Sequence, residues 1–202
     1  MTIFGTSLFI MTMENTSTEK IISIVNAQKA YFKSGATLDI SFRKEMLRKL
    51  YDAINRWESR ICDALWTDLH KSYEEAYLTE LSIVTGEIRN HIRNVSSWAK
   101  RERRRSPLKL FPSRSYVVKE PLGNTLIVSP WNYPVQLLLN PLVGAISAGC
   151  TAVLKPSPYV PNVSSSSIPL AVVFNCAKIL FAVSGINGAR RLVPMQMLSI
   201  KL

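Results

Sequence analysis

Between residues 41 and 70 the apolar positions Phe42, Met46, Leu50, Ile54, Trp57, Ile61, Leu65 and Leu69 recur at spacings of three and four. Arg, Lys, Asp and Glu fill the opposite side. This period predicts an amphipathic helix with one face turned to a core. Ser41 reads as its N-cap, with Asp39 just before it. A second helix is expected from about Ser72 to Lys100, with Leu81, Val84, Ile88, Ile92, Val95 and Trp98 as its seam. A shorter helix, roughly 18–34, precedes both and ends near Gly35.

Beyond residue 105 the period changes. Pro107 and Pro112 break the helical pattern, and Ser115-Tyr116-Val117-Val118 reads as a strand. Pro121 to Asn124 make a turn, and Thr125 to Ser129 an apolar strand. Pro134 suits a first helical position, where its missing N–H would have had no partner. Val135, Leu138, Leu139, Leu142, Val143 and Ile146 follow, and Gly149 reads as the C-cap. Pro141 is expected to kink or restart this helix. Thr151 to Leu154 form another short apolar strand, closed by Lys155-Pro156-Ser157-Pro158. Residues 125–155 are thus a strand–helix–strand unit, and strands apolar throughout suit a parallel sheet covered on both faces. The class is α/β: N-terminal helices, then the first strand–helix–strand part of a Rossmann-like parallel sheet. Ligands of such sheets bind beyond the carboxyl ends of the strands. The two proline-rich turns, 129–134 and 155–158, lie there. A sheet of two or three strands is expected to leave apolar faces uncovered and to favour aggregation.

The 202 residues, 47% hydrophobic, suffice for one domain or one and part of another. No repeat appears at solenoid periods. The net charge of +11 is uneven. Lys100, Arg101, Arg103, Arg104, Arg105, Lys109, Arg114 and Lys119 face one acid, Glu102, within residues 100–119. After Glu120 the remaining 82 residues contain no Asp or Glu. Cys62, Cys150 and Cys176 form no CxxC pair and no metal spacing, and His70 and His91 lack a ligand partner in sequence, so no metal site is expected. The odd cysteine count favours free thiols in a reducing compartment, here the cytoplasm. Ile3 to Met11 is apolar but has no cationic residue before it, so a secretory signal is not expected. Met13 is expected to be the natural start, with residues 1–12 an upstream extension.

The stretch EPLGNTLIVSPWNYPVQLLLNPLVGAISAGCTAVLKPS, Glu120 to Ser157, resembles the N-terminal part of the NAD(P)-binding domain of the aldehyde dehydrogenases. The likeness is to the class 3-like branch, which acts on fatty, aromatic and other medium-to-long aldehydes. FKSGATLDISFRKEMLRKL (32–50) and SPLKLFPSRSYVVKEPLG (106–123) extend it, so that it covers about residues 18 to 167. The resemblance implies oxidation of an aldehyde to a carboxylic acid with NAD or NADP. It gives Asn132 a catalytic role: its side-chain amide donates to the oxyanion formed when a cysteine thiolate attacks the carbonyl. An amide donates without titrating. The resemblance sets Val128, Ser129 and Trp131 against the cofactor, Lys155 at the adenine ribose, and Ser157 in the same turn. It also implies pairing of subunits through a strand arm, part of which 106–119 matches.

This sequence departs from the family pattern in two ways. Pro158 stands where the family usually has an acid that binds ribose hydroxyls. The Gly-rich phosphate turn, the general-base Glu and the nucleophilic Cys of the family have no counterpart in these residues. Cys150 occupies a helix-to-strand junction that the family often fills with Asn. The chain is therefore read as a truncated N-terminal portion, inactive alone. It divides into a disordered extension (1–17), a helical region (18–105), a strand arm (106–119), a partial NAD(P)-binding domain (120–167) and an atypical tail (168–202). The tail shows no amphipathic period and is expected to be a frameshifted or mis-spliced ending. It is not expected to span a membrane, because Asn175 and Lys178 lie near the middle of its apolar run and a mid-bilayer Lys costs about 3 kcal/mol. Two other functions compete. One is a non-catalytic fragment that forms a homo-dimer or pairs with full-length subunits. The other is a nucleic-acid or acidic-surface binder built on Lys100–Lys109; a solvated loop is favoured there, so no nucleic acid is expected.

Overall fold

A computed structural model describes residues 16–165 and the strand Leu180–Ala182. Helix α1 runs Thr18–Lys33 and α2 Ile40–Leu69. Asp39, rather than Ser41, caps α2. Its carboxylate accepts from Ser41 N at 3.3 Å and Phe42 N at 3.2 Å, and from the Ser41 hydroxyl. Two oxygens one residue outside the helix reach two free amides, which a hydroxyl already inside it cannot do. The Ser41 hydroxyl, then the Phe42 and Ser41 amides, hold the Asp39 carboxyl below its ordinary pKa. Of the expected seam, Met46, Leu50, Ile54, Ile61 and Leu65 are buried, and Phe42, Trp57 and Leu69 pack at its margin. The second long helix is divided. A short α3 (Tyr73–Ala76) leads into a π-turn (Tyr77–Leu81) and then α4 (Ser82–Trp98).

Strand β3 (Asn124–Val128), α5 (Pro134–Ala148) and β4 (Thr151–Lys155) form the expected unit. The strands are parallel, with Leu126 opposite Val153, Ile127 opposite Leu154 and Val128 opposite Lys155. Three residues of the tail, β5 (Leu180–Ala182), add a third parallel strand beside β4. Contrary to expectation, β3 and β4 have both faces covered. Leu126 and Val153 pack with Ile21 and Val25 of α1. Ile127, Ala152 and Leu154 join the main core with α2, α4 and α5. The N-terminal helix thus supplies the layer that a crossover helix would supply in a larger sheet. Gln28 of α1 reinforces it by donating to Ala152 O at 2.8 Å. Pro141 does not restart α5, which continues through it. Leu138, Leu139, Leu142 and Val143 anchor both sides of the lost hydrogen bond in the core.

Gly149 closes α5 at φ 87°, as expected. Arg43 of α2 lies against it, buried, and forks onto three carbonyls: Thr37 at 2.8 Å, Leu38 at 2.9 Å and Ser147 at 3.1 Å. The strand expected at 115–118 has a partner in the basic run. A hairpin forms from β1 (Glu102–Arg104) and β2 (Ser115–Val117), antiparallel, with Arg103 opposite Tyr116. In the connecting loop Leu108 is 89% exposed and Phe111 83%. Among the described residues no helix is long and apolar enough to cross a membrane. The start at Met13, the disorder of 1–15, Cys176, and all of the tail except Leu180–Ala182 lie outside the described residues.

The α5 cap Gly149 and Gly86 within α4 make opposite demands. A Cβ on Gly149 would come within 2.8 Å of the Arg43 guanidinium, whereas one on Gly86 meets nothing within 4 Å. Gly149→Ala combines a left-handed penalty of ~1–2 kcal/mol with displacement of a buried fork. Gly86→Ala stabilises by up to ~1 kcal/mol. Urea midpoints measured on the full chain therefore move in opposite directions.

Candidate functional site

Ser129 ends β3 and begins the turn. Its N–H donates to Lys155 O at 3.0 Å, which prolongs the β3–β4 ladder by one residue. Its hydroxyl donates to Pro134 O at 2.8 Å across the turn. The loop Pro130–Tyr133 is thereby closed at its base, with a proline at each side. Trp131, Asn132 and Tyr133 all project from it and are exposed. Among the described residues, the side-chain amide of Asn132 has no hydrogen-bond partner.

Two residues that sequence reasoning missed hold this turn from beneath. Helix α5 begins without a local cap: Tyr133 offers no side-chain hydrogen bond, and Pro134 has no N–H. The next two amides are satisfied from the π-turn. Glu80 Oε2 accepts from Val135 N at 2.8 Å and Gln136 N at 3.2 Å. Its other oxygen accepts from Lys71 Nζ at 2.7 Å, and the Glu80 side chain is fully buried. Lys71 Nζ also donates to the backbone oxygen of Asn132 at 2.9 Å and lies 3.9 Å from the centre of the Tyr133 ring. A signal for Glu80 was present. It falls at i−4 from Val84 and i−8 from Ile88, a carboxylate on the apolar seam. Lys71, between the αL residue His70 and the α3 cap Ser72, carries no such signal.

Beyond the carboxyl ends of β3 and β4 lies a cavity of about 240 Å³, lined by Ser129, Pro130, Trp131, Lys155, Ser157, Pro158 and Tyr159. It brings together Ser129, Trp131, Lys155 and Ser157 of the expected site residues. Val128, at the strand end beside Lys155, and Asn132, on the turn, are not among its walls. Trp131 is 56% exposed and Tyr159 74%, so aromatic surface is available at its mouth. Lys155 is only 5% exposed as a residue, and no carboxylate of the described residues pairs with it. Burial alone pushes its pKa down. A desolvated cation without an acid, beside a cavity, is suited to an oxygen-rich or anionic ligand. Pro158 offers no side-chain acceptor at this cavity. Ser157 Oγ is engaged with Tyr159 N at 3.4 Å.

Neither described cysteine offers a reactive thiol. Cys150 is buried and free at the α5–β4 junction. Cys62 is buried in α2, and that burial, followed by the Glu58, Asp63 and Glu80 carboxylates, raises its pKa to about 11. No group of metal-binding residues occurs among the described residues. On the hairpin, Arg103, Arg104, Arg105 and Arg114 line an open groove of about 490 Å³. Arg104 and Lys119 both pair with Glu102 at 2.8 Å.

A profile of the aldehyde dehydrogenase family matches residues 5–179. The 4,4'-diaponeurosporen-aldehyde dehydrogenase of Staphylococcus aureus is 50% identical over 136 residues, 67% of this chain and 30% of that protein. A structure of the substrate-bound state of Staphylococcus aureus AldH matches with a TM-score of 0.83 and 42% identity, over 86% of this chain and 38% of that one. The NADP+ complex of succinic semialdehyde dehydrogenase from Streptococcus pyogenes shares the fold, at a TM-score of 0.79 and 16% identity, over 92% of this chain and 40% of that one. The chain thus spans between 30% and 40% of the length of these proteins. The profile match takes in parts of both the N-terminal extension and the tail. With these matches over most of its length, the chain belongs to the aldehyde dehydrogenase family.

Proposed function

We propose that this chain supplies the oxyanion-donor turn and one end of the dinucleotide site for NAD(P)-dependent oxidation of apolar aldehydes to carboxylic acids. The observation that carries this reading is the turn 129–134, where the unengaged amide of Asn132 stands beside Trp131, a wall of the Lys155 cavity. NAD or NADP, when bound, supplies the hydride acceptor. Lys155 and the turn 129–131, with Ser157, hold its ribose end. Asn132 Nδ2–H donates to the carbonyl oxygen as a thiolate adds to the carbonyl carbon and that oxygen gains negative charge. A donor carried on a held backbone needs little movement to meet that charge. The thiolate does not come from Cys62 or Cys150, both buried. No carboxylate after Glu120 can serve as base. The 202-residue chain alone is therefore expected to yield no NAD(P)H from a long-chain aldehyde. The apolar substrate class rests on the class 3-like resemblance and on the diaponeurosporen-aldehyde relative.

Placing residues 16–165 of this chain in the Staphylococcus aureus relative, instead of its own matching segment, gives a chimera in which the turn can be assayed. Asn132→Ala there lowers kcat about 10²–10³-fold with little change in KM, as loss of one oxyanion donor does. An unchanged kcat refutes the role. Lys155→Met separates binding from stability. Removing a desolvated cation stabilises the full chain by about 1 kcal/mol in urea titration, while NAD(P) affinity by calorimetry falls about tenfold.

A second reading is favoured by the hairpin, whose Leu108, Leu110 and Phe111 present apolar side chains to solvent. Such a patch suits a partner surface, here another subunit of the family. Sedimentation of the Leu108→Ser/Phe111→Ser double variant is expected to show a monomer where the parent chain self-associates. Equal sedimentation of both proteins removes this reading.

A further inference from the structure

The buried Lys71–Glu80 pair does more than join α2 to the π-turn. Glu80 fixes the first free amides of α5, and Lys71 fixes the carbonyl of Asn132 itself. The Asn132 side chain is exposed, so the region its amide can reach is set by the position of its backbone. That backbone is held by Ser129 at the base of the turn and by Lys71 at its tip. The ring of Tyr133 lies against the same ammonium, at 3.9 Å. We propose that Lys71 and Glu80 are positioning residues: one buried ion pair sets the aim of the Asn132 amide by holding the peptide oxygen of that residue and the start of the following helix together. The inference rests on the oxyanion reading for its consequence in catalysis, but not for the tether itself.

A charged pair suits this task better than a neutral one. The ammonium must satisfy a carboxylate and a carbonyl at once, and the carboxylate must satisfy two amides and an ammonium. Exchange of the two residues would restore opposite charges. It would nevertheless leave the α5 amides facing an ammonium, which accepts nothing. The tether therefore has a polarity that a simple salt bridge lacks.

Hydrogen exchange on the full 202-residue chain tests the tether directly. In Lys71→Met and in Glu80→Gln, exchange at Val135 and Gln136 rises about tenfold or more, while β3 and β4 keep their protection. Lys71→Arg retains most of the protection, and the Lys71→Glu/Glu80→Lys exchange does not. Unchanged exchange at Val135 and Gln136, or an equal rise across β3 and β4, overturns the proposal. The aim of Asn132 is read in the chimera. Lys71→Met lowers kcat about tenfold with KM unchanged, and has no further effect once Asn132 is Ala. Additive losses in that double variant mean general destabilisation and overturn the positioning role. If Asn132→Ala itself leaves kcat unchanged, the oxyanion reading fails, while the exchange result still decides the tether.

Discussion

A carboxylate with no exposed surface must find its counter-charge and hydrogen bonds inside the protein, and Glu80 finds them in three places. Breaking such a pair from one side leaves a buried charge and costs ~3–5 kcal/mol. The segments that meet at Glu80 are therefore not free to drift. They are the exit from α2 at Lys71, the π-turn, the turn before α5 and the first turn of α5 itself. Glu80 itself sits within the π-turn, and single π-turns recur at functional sites. One carboxylate on a helical seam thus holds a loop about 50 residues later, and the residue that carries its amide.

Lys155 states the opposite case. Glu80 is buried and paired, but Lys155 is buried beside a cavity with no acid of the described residues near enough to pair. A fold selected for stability alone would give it a carboxylate or replace it with an apolar side chain. The absence of acids after Glu120 keeps the first remedy away from the later part of the chain. The cation is held at the end of β4 by a ladder that starts at Thr151 and finishes with Ser129 N on Lys155 O. Its position is thus fixed by backbone pairing while its charge is left unspent, which suits a ligand-binding group.

Much of this was legible in the sequence. The period of α2, the Pro134–Gly149 limits of α5 and the apolar runs of β3 and β4 gave the core and the ends of the strands where the site lies. What was not legible depended on pairs distant in sequence. Strand β1, Glu-Arg-Arg, has no strand character of its own and exists through its register with Ser115–Val117. Ser41 and Asp39 are both good caps for α2 by residue type, and only the geometry, with Asp39 one residue outside the helix, chooses between them. The covering of the sheet by α1 joins Ile21 to Val153, too far apart for any local pattern. The turn 129–134 stood out through its prolines and its family likeness. Its support at Lys71 and Glu80 did not, since one Glu on an apolar seam reads as an irregularity until its partners are seen.

Helix α5 ties these observations together. Its N-terminus carries partial positive charge and meets the Glu80 carboxylate; its C-terminus carries partial negative charge and meets the Arg43 guanidinium at Ser147 O. Both charges are buried and both come from the helical layer formed by α2 and the π-turn. Apolar packing by Leu and Val side chains is not directional, so it holds a helix less specifically along its axis than hydrogen bonds at its ends. A helix clamped at each end by a directional, charge-assisted bond is held there, because a shift that shortens one contact lengthens the other. The N-terminal helices are therefore more than a cover for the sheet. Through Glu80 and Arg43 they set the axial position of α5, and with it the height at which the Asn132 turn stands above the ends of β3 and β4.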